Sequence, residues 1–338
     1  MGARVGIIGG SGFTGAELLR LLASHPQIEV AWATGDSQAG KRVADLYPSL
    51  AATYGGLTFQ PYDEADVAGL DLVFVALPHG HSQSIVPGVR GKVGHIVDLA
   101  ADFRLPDPAD YPRWYGEAHA APALLGEFVY GLPELYREQL KGAELIATPG
   151  CYPTAGSLPL APLVRAGLVE TKGIVVDAAS GVSGAGRDKH PFCNVDEDFV
   201  AYGLLDHRHT PEIENNLGGA TVLFTPHLAP MNRGILATCY ARPAAGGLST
   251  QQLLDCQADF FAGEPFVHVS ERSPNTKATL GSNVIHLTAR YDERTGTVVA
   301  LGALDNLTKG ASGAALQCAN LALGLDETMG LPTVGMYP

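Results

Sequence analysis

One stretch of the chain combines a nucleophile with the punctuation that would expose it: Thr148-Pro149-Gly150-Cys151-Tyr152-Pro153-Thr154-Ala155. The apolar Leu145-Ile146-Ala147 leads in as a strand end, and Pro149 and Gly150 break it. Pro153 suits the first turn of a helix, where its missing N–H costs nothing. Residues 157–164 then continue as an apolar, proline-bent helix. Cys151 is therefore expected at a strand-to-helix turn with its sulfur by a helix N-terminus. Free N–H groups and the helix dipole there favour the thiolate, the reactive form of cysteine. Such a nucleophile needs an acid–base partner, usually histidine. His207-Arg208-His209-Thr210-Pro211-Glu212-Ile213 offers two, His207 and His209. They precede a helix expected to carry Thr210 as its cap and Pro211 at its first position. Arg208 is a candidate anion contact.

The elements that must position this chemistry begin at the N-terminus. Arg4-Val5-Gly6-Ile7-Ile8 reads as a buried strand, running into Gly9-Gly10-Ser11-Gly12-Phe13-Thr14-Gly15 and then a helical pattern from Ala16. Strand, glycine turn and helix in this order form the dinucleotide-binding arrangement, with the pyrophosphate held on the helix N-terminus. The second strand, Ile28 to Ala33, ends at Thr34-Gly35-Asp36-Ser37. Asp36 there points to NAD, whereas Ser37, Lys41 and Arg42 point to NADP. A third apolar strand runs from Leu70 to Leu77 and ends in Pro78-His79-Gly80-His81-Ser82, a turn expected to line the cofactor cleft. His79 and His81 have no further ligands at useful spacing, so no metal is expected. His95 to Leu99 forms another strand, followed by Arg104 at its end, a candidate for an anionic substrate group. Residues 106–128 read as an irregular surface excursion.

Beyond the Cys151 helix the pattern turns strand-rich. Ser180-Gly181-Val182-Ser183-Gly184-Ala185-Gly186-Arg187 is a second small-residue loop able to cradle a phosphate or carboxylate. Ser180, Gly181, Ser183, Gly184 and Arg187 are its candidate contacts, to dinucleotide or substrate. Strands are expected at 222–228, 235–241, 283–289 and 297–307, with an amphipathic helix at 250–261. A small-residue helix opens at Gly313 and runs to Leu323, and Asn306 is placed near the nicotinamide. Cys193, Cys239, Cys256 and Cys318 read as structural.

Bulk properties narrow the class. A chain of 338 residues with 46% apolar and 17% charged residues is globular and long enough for two domains. Its net charge of −13, with 22 dispersed Lys and Arg, argues against nucleic acid as a partner. No leader pattern is read at the N-terminus, and no apolar run approaches the ~20 residues needed to cross a bilayer. Five cysteines without Cys-x-x-Cys pairs argue for a reducing cytoplasm.

Eight motifs in one order resemble the N-acetyl-gamma-glutamyl-phosphate reductase family, type 1 form, of arginine biosynthesis. They are residues 9–15, 76–80, 98–104, 149–154, 180–187, 207–212, 226–234 and Asp305-Asn306-Leu307-Thr308-Lys309-Gly310. The resemblance implies an α/β chain: a Rossmann NADP-binding domain over 1–150 with 313–338, and an α+β catalytic and dimerisation domain over 151–312, like that of aspartate-semialdehyde dehydrogenase. It implies that Cys151 attacks an acyl phosphate, that phosphate leaves, and that hydride from NADPH reduces the thioester to a semialdehyde. Acid–base work falls to His209, with His207 as alternate. The family implies a homodimer or homotetramer. Two other readings stand beside it: a reductase acting on carrier-protein-linked substrates, and a catalytically inactive dinucleotide sensor. Gly35-Asp36 departs from the Ser-Arg of many relatives and bears on NADP preference.

Overall fold

Short apolar runs such as Leu72-Val73-Phe74-Val75, buried at every residue, mark a sheet covered on both faces. In the computed structural model, which describes residues 2–187 and 194–337, the chain divides into two units. One comprises Met1–Pro149 with Ala311–Leu331, the other Gly150–Gly310 with Pro332–Pro338.

The first unit holds strands β1 (Ala3–Ile8), β2 (Ile28–Ala33), β3 (Leu72–Val75), β4 (His95–Asp98), β5 (Val129–Tyr130) and β6 (Leu145–Ala147). They form one parallel sheet in the order β2-β1-β3-β4-β6-β5. The helices are α1 (Phe13–Leu22), α2 (Val43–Leu46), α3 (Ala51–Tyr54), α4 (Ser82–Val89), α5 (Asp110–Tyr115) and α6 (Pro133–Leu140). β2 and β3 flank β1 on opposite sides, so the chain reverses direction across the sheet there. This is the position at which open α/β sheets bind ligands beyond their strand ends.

Most of residues 106–128 are exposed, in keeping with the surface excursion expected from their prolines, but the segment is anchored at a few buried positions. Tyr111 on α5 and Leu124 and Leu125 are buried in the core cluster with Val75, Ile96 and Phe103. The Tyr111 hydroxyl donates to the Asp102 carbonyl at 2.5 Å. Long-range burial, which no local periodicity announces, orders this segment.

The second unit begins with α7 (Cys151–Arg165), followed by β7 (Ile174–Gly181), β8 (Val200–Ala201), α8 (Thr210–Asn216), β9 (Val222–Ala229) and β10 (Ile235–Ala241). It continues with α9 (Thr250–Phe260), β11 (Val267–Val269), β12 (Ile285–Asp292) and β13 (Thr297–Leu304). The strands make one mixed sheet, β11-β12-β13-β10-β7-β9-β8. α7 lies close on one face because glycines permit it: a Cβ on Gly302 would sit 2.6 Å from the Ala155 carbonyl oxygen. The other face carries a row in register across four strands, Leu223, Val175, Tyr240 and Val299, with Leu223 and Tyr240 exposed.

After a π-helical turn at Thr308–Ser312, α10 (Gly313–Ala322) is buried at every residue. It belongs to the first unit, where Ser312 Oγ donates to the Thr14 carbonyl at 2.8 Å and Gln317 Nε2 bonds Glu134 and Glu327. The expectation that 313–338 stays with that unit needs correction at its end. Asn283 N–H donates to the Pro332 carbonyl and Met336 N–H to that of Leu280, each at 2.8 Å, so the tail adds to the second unit. Cys239 and Cys318 are buried, their thiols on the Gly156 and Gly131 carbonyls, and Cys256 is half-buried on that of Pro162. Cys193 lies outside the described residues.

Candidate active site

In the first unit the glycine turn divides by what each glycine makes room for. Gly9 has φ +88°, and a Cβ there would lie 2.4 Å from the Ala76 carbonyl oxygen. A Cβ on Gly15 would lie 2.5 Å from Gly10 Cα, so α1 packs directly on the turn. These positions serve the protein's own packing. Gly12 does not: nothing lies closer than 3.8 Å to its added Cβ, and as the N-cap of α1 it offers no side-chain cap. Ser11 Oγ donates to the Gly35 carbonyl and Tyr47 Oη to that of Ser11, which fixes the turn, while Phe13 and Thr14 form the first turn of α1.

At the end of β2, Asp36 is exposed and holds a left-handed φ of +42°. Ser37 Oγ accepts from Gln38 Nε2 at 3.2 Å. The nearby cations have local partners: Lys41 donates to Gln38, and Arg42 forks onto Asp45 at 3.1 and 2.6 Å. Pro78 and His79 lie at the carboxyl end of β3, with His79 Nδ1 2.5 Å from Asp102 Oδ1. Arg104 donates through Nη2 to the Leu99 carbonyl at 2.9 Å.

In the second unit Cys151 is the first residue of α7, half-buried, after the N-cap Gly150. No side chain caps this helix. Two glycines bring groups against it. A Cβ on Gly150 would lie 2.4 Å from His209 Nε2, so only glycine admits the imidazole at the helix start. A Cβ on Gly310 would lie 2.8 Å from that of Cys151. The buried Glu212 accepts from Gly150 N–H at 3.0 Å through Oε2, while Oε1 is 4.0 Å from His209 Nε2. Glu212 thus touches both the histidine and the backbone that leads into the cysteine.

The two histidines separate here. His209 is buried beside Gly150 and is itself the N-cap of α8, so Thr210 opens that helix rather than capping it. His207 stands edge-on to Tyr152, Tyr202 and Phe224, with its Nδ1 accepting from His209 N–H at 3.2 Å. Burial, with the Arg208 charge beside it, pulls His207 down to about 4 and keeps it neutral near pH 7. His207 therefore orients its neighbour, and His209 is the histidine at the cysteine helix.

The second small-residue loop is drawn together by Asn306. Its Nδ2 donates to Ser183 Oγ at 3.0 Å, its Oδ1 accepts from Gly234 N–H at 2.7 Å, and Gly184 packs beside Ser180 Oγ and Asn306. Gly181 serves packing instead, since a Cβ there would meet Asn232 and Arg233 backbone at 2.8 Å. Arg187 is half-buried and Arg208 exposed. Glu212, Gly150 and Gly310 went unassigned from the sequence. The His-x-x-Glu spacing of His209 and Glu212 at a helix start was the signal available for the first of them.

Comparison with known proteins gives this arrangement a family. The description "Semialdehyde dehydrogenase, NAD binding domain" matches residues 4–143, and "Semialdehyde dehydrogenase, dimerisation domain" matches residues 151–306. N-acetyl-gamma-glutamyl-phosphate reductase of Symbiobacterium thermophilum is 49% identical over 350 aligned positions, covering 100% of both chains. The protein of that name from Pseudomonas aeruginosa is 45% identical, covering 99% of both. The chain belongs to the N-acetyl-gamma-glutamyl-phosphate reductase family. Among solved structures, aspartate semialdehyde dehydrogenase II from Vibrio cholerae is similar in fold, with a TM-score of 0.72 at 15% identity, covering 96% of this chain and 99% of that one. Aspartate semialdehyde dehydrogenase with NADP from Candida albicans has a TM-score of 0.67 at 15% identity, covering 95% and 98%. In this family member the glycine turn fits a dinucleotide. Its packing glycines fix the turn, and Gly12 leaves open space over an uncapped helix N-terminus, as a pyrophosphate requires.

Proposed function

We propose that this protein reduces N-acetyl-L-glutamyl 5-phosphate to N-acetyl-L-glutamate 5-semialdehyde with release of phosphate, using NADPH, in arginine biosynthesis. The observation that carries the mechanism is the start of α7, where Cys151 opens an uncapped helix and His209 lies on Gly150. The helix N-terminus favours the Cys151 thiolate, which attacks the acyl carbon and expels phosphate, leaving a thioester on sulfur. Bound NADPH supplies the hydride that converts this thioester to the aldehyde level. His209 takes the thiol proton and, carrying it, stabilises negative charge developing on the substrate oxygen; collapse of that oxygen then breaks the C–S bond and restores the thiolate. Glu212, buried against His209 and Gly150 N–H, holds the imidazole in place.

The residues proposed to hold the dinucleotide are Gly9, Ser11, Gly12, Phe13, Thr14 and Gly15 for the pyrophosphate, Ser37 for the ribose phosphate, and Pro78 and His79. Ser180, Gly181, Gly184 and Asn306 are likewise assigned to the dinucleotide, on the motifs that hold them. Ser183, Arg187, Arg208 and Arg104 are assigned to the anionic groups of the substrate. The open sheet face with Leu223, Val175, Tyr240 and Val299 supports a homo-oligomer, in keeping with the matched dimerisation domain. Among the described residues no helix is long and apolar enough to cross a membrane. The odd cysteine count supports a cytoplasmic location. Full-length identity to reductases of the free acetylated substrate disfavours the carrier-linked and sensor readings.

The test is NADPH oxidation with N-acetyl-gamma-glutamyl phosphate, or the reverse reaction with semialdehyde, phosphate and NADP+. Cys151→Ala is expected to lose at least about a thousandfold in turnover while still binding NADP+. Turnover in the variant close to wild type would remove the covalent mechanism.

A further inference from the structure

The first unit buries a pair of carboxyl groups that the chemistry above does not use. Asp98, ending β4, and Asp102, just beyond it, are both fully buried. Ser82 Oγ, at the first residue of α4, lies 2.9 Å from Oδ2 of each. A hydroxyl carries one proton and can donate to only one of them. The other contact therefore requires a carboxyl proton pointing at Oγ. Asp102 is the worse candidate for that proton, because its oxygens already receive Gly80 N–H at 2.7 Å and Gln83 N–H at 3.1 Å, with His79 Nδ1 at 2.5 Å. Asp98 receives one backbone donor, Ala100 N–H at 2.9 Å. Asp98 is thus the neutral acid and Asp102 the anion.

The titration tendencies agree. Burial pushes Asp98 up to about 7 against the pull of Ala100, Ser82 and the Arg104 charge. Burial acts on Asp102 in the same sense, but the His79 ring and the Gly80 and Gln83 N–H groups outweigh it and hold Asp102 at about 2. Asp102 therefore ties down the turn that follows β3, and that turn stands at the strand ends where this sheet type binds its ligand. The His79 ring leans on Tyr115 with centroids 4.3 Å apart. The short Nδ1 separation, more than ring alignment, identifies the pair with Asp102. Both ring nitrogens of His79 are buried: Nδ1 lies against Asp102 Oδ1 without hydrogen-bond alignment, and Nε2 has no polar partner among the described residues.

We propose that Asp102 is a positioning residue for dinucleotide binding: its carboxylate, kept anionic by the neutral Asp98 across Ser82, fixes residues 78–83 and engages His79 Nδ1, leaving Nε2 as the ring atom available to the bound dinucleotide. The proposal rests on the dinucleotide reading of the first unit. A buried polar nitrogen without a partner is costly, and a ligand that supplies one recovers that cost on binding.

NMR of the full-length protein with isotope-labelled histidine, free and with NADP+, tests this together with NADP+ affinity by calorimetry. The His79 Nδ1–H should resonate far downfield, an assignment made by its loss in His79→Gln, and the Nε2 signal should shift when NADP+ is added. Asp102→Asn should lose the downfield resonance and weaken NADP+ binding on the order of tenfold or more. Asp98→Asn should weaken it far less, because the amide can still donate to Ser82 Oγ and accept from Ala100 N–H. A folded Asp102→Asn that binds NADP+ as wild type does overturns the positioning role, and equal losses in the two variants overturn the assignment of the neutral acid. If Asp102→Asn does not fold, a His79 Nε2 signal in wild type that NADP+ leaves unmoved overturns the proposal. Wild type that binds no NADP+ overturns the dinucleotide reading instead.

Discussion

The starts of α1 and α7 use the same backbone device under opposite cover. Each is an uncapped helix N-terminus whose N-cap is a glycine. At α1 the space over Gly12 is open to 3.8 Å, and the neighbouring glycines are consumed by packing below it. At α7 the glycine is covered: His209 lies where a Cβ would go, Glu212 takes the Gly150 N–H, and Gly310 presses on Cys151. The positive end of a helix attracts an anion in both cases. What surrounds it decides whether that anion is a ligand that comes and goes or a thiolate built into the chain.

The comparison can be broken from either side. The largest effect is expected at the covered end, where His209→Asn should lower turnover on the order of a thousandfold. Gly150→Ala follows, since a methyl 2.4 Å from His209 Nε2 must displace the ring. About a hundredfold loss in kcat is expected from such a displacement, with NADP+ affinity unchanged. Gly12→Ala should do the reverse: the protein folds with unaltered thermal stability, because nothing crowds the added methyl, and NADP+ binding by calorimetry weakens about tenfold. If both alanine variants behaved alike, the distinction between open and covered helix starts would fail.

A smaller effect follows from His207. Its folded pKa of about 4 lies below the ordinary value of 6.5, so the unfolded chain binds the extra proton first as pH falls. The stability contributed by neutral His207 is present above 6.5 and declines as pH drops towards 4. It is worth at most about 3 kcal/mol, and less because the ring is only half-buried. Denaturant titrations should show wild type losing stability relative to His207→Phe as pH falls through this range. The smallest effect belongs to Asp36, exposed at the end of β2. Asp36→Ser should raise the ratio of NADP+ to NAD+ affinity by roughly a few-fold, since the repulsion it removes is screened by water. An unchanged ratio would take Asp36 out of cofactor choice.

Much of both sites was legible in local pattern. Strand, glycines and helix stand in unbroken succession around residues 5–22, and that order alone announces the turn. Proline and glycine before Cys151 announce a helix start for the same reason, because φ restriction and lost N–H groups act within a few residues. Legibility ended where partners are distant in sequence. Residues 106–128 read as loop because burial of Tyr111, Leu124 and Leu125 depends on β3 and β4 rather than on any period of their own. The tail at 332–337 joined the second unit through backbone bonds to Leu280 and Asn283, which carry no sequence signature.

The sequence by itself determined which groups are available: a cysteine at a helix start, two histidines before another, and a glycine turn after the first strand. It did so because backbone geometry and helix termini are governed by neighbouring residues. Only the tertiary structure decided how those groups differ from one another. His207 and His209 are alternate residues of one motif, yet one is enclosed by Tyr152, Tyr202 and Phe224 while the other lies against Gly150 and Glu212. Asp98 and Asp102 are near neighbours, yet one is an acid and the other an anion because of the donors that reach them. Protonation and orientation depend on desolvation and on hydrogen bonds from residues far along the chain, and these exist only once it has folded.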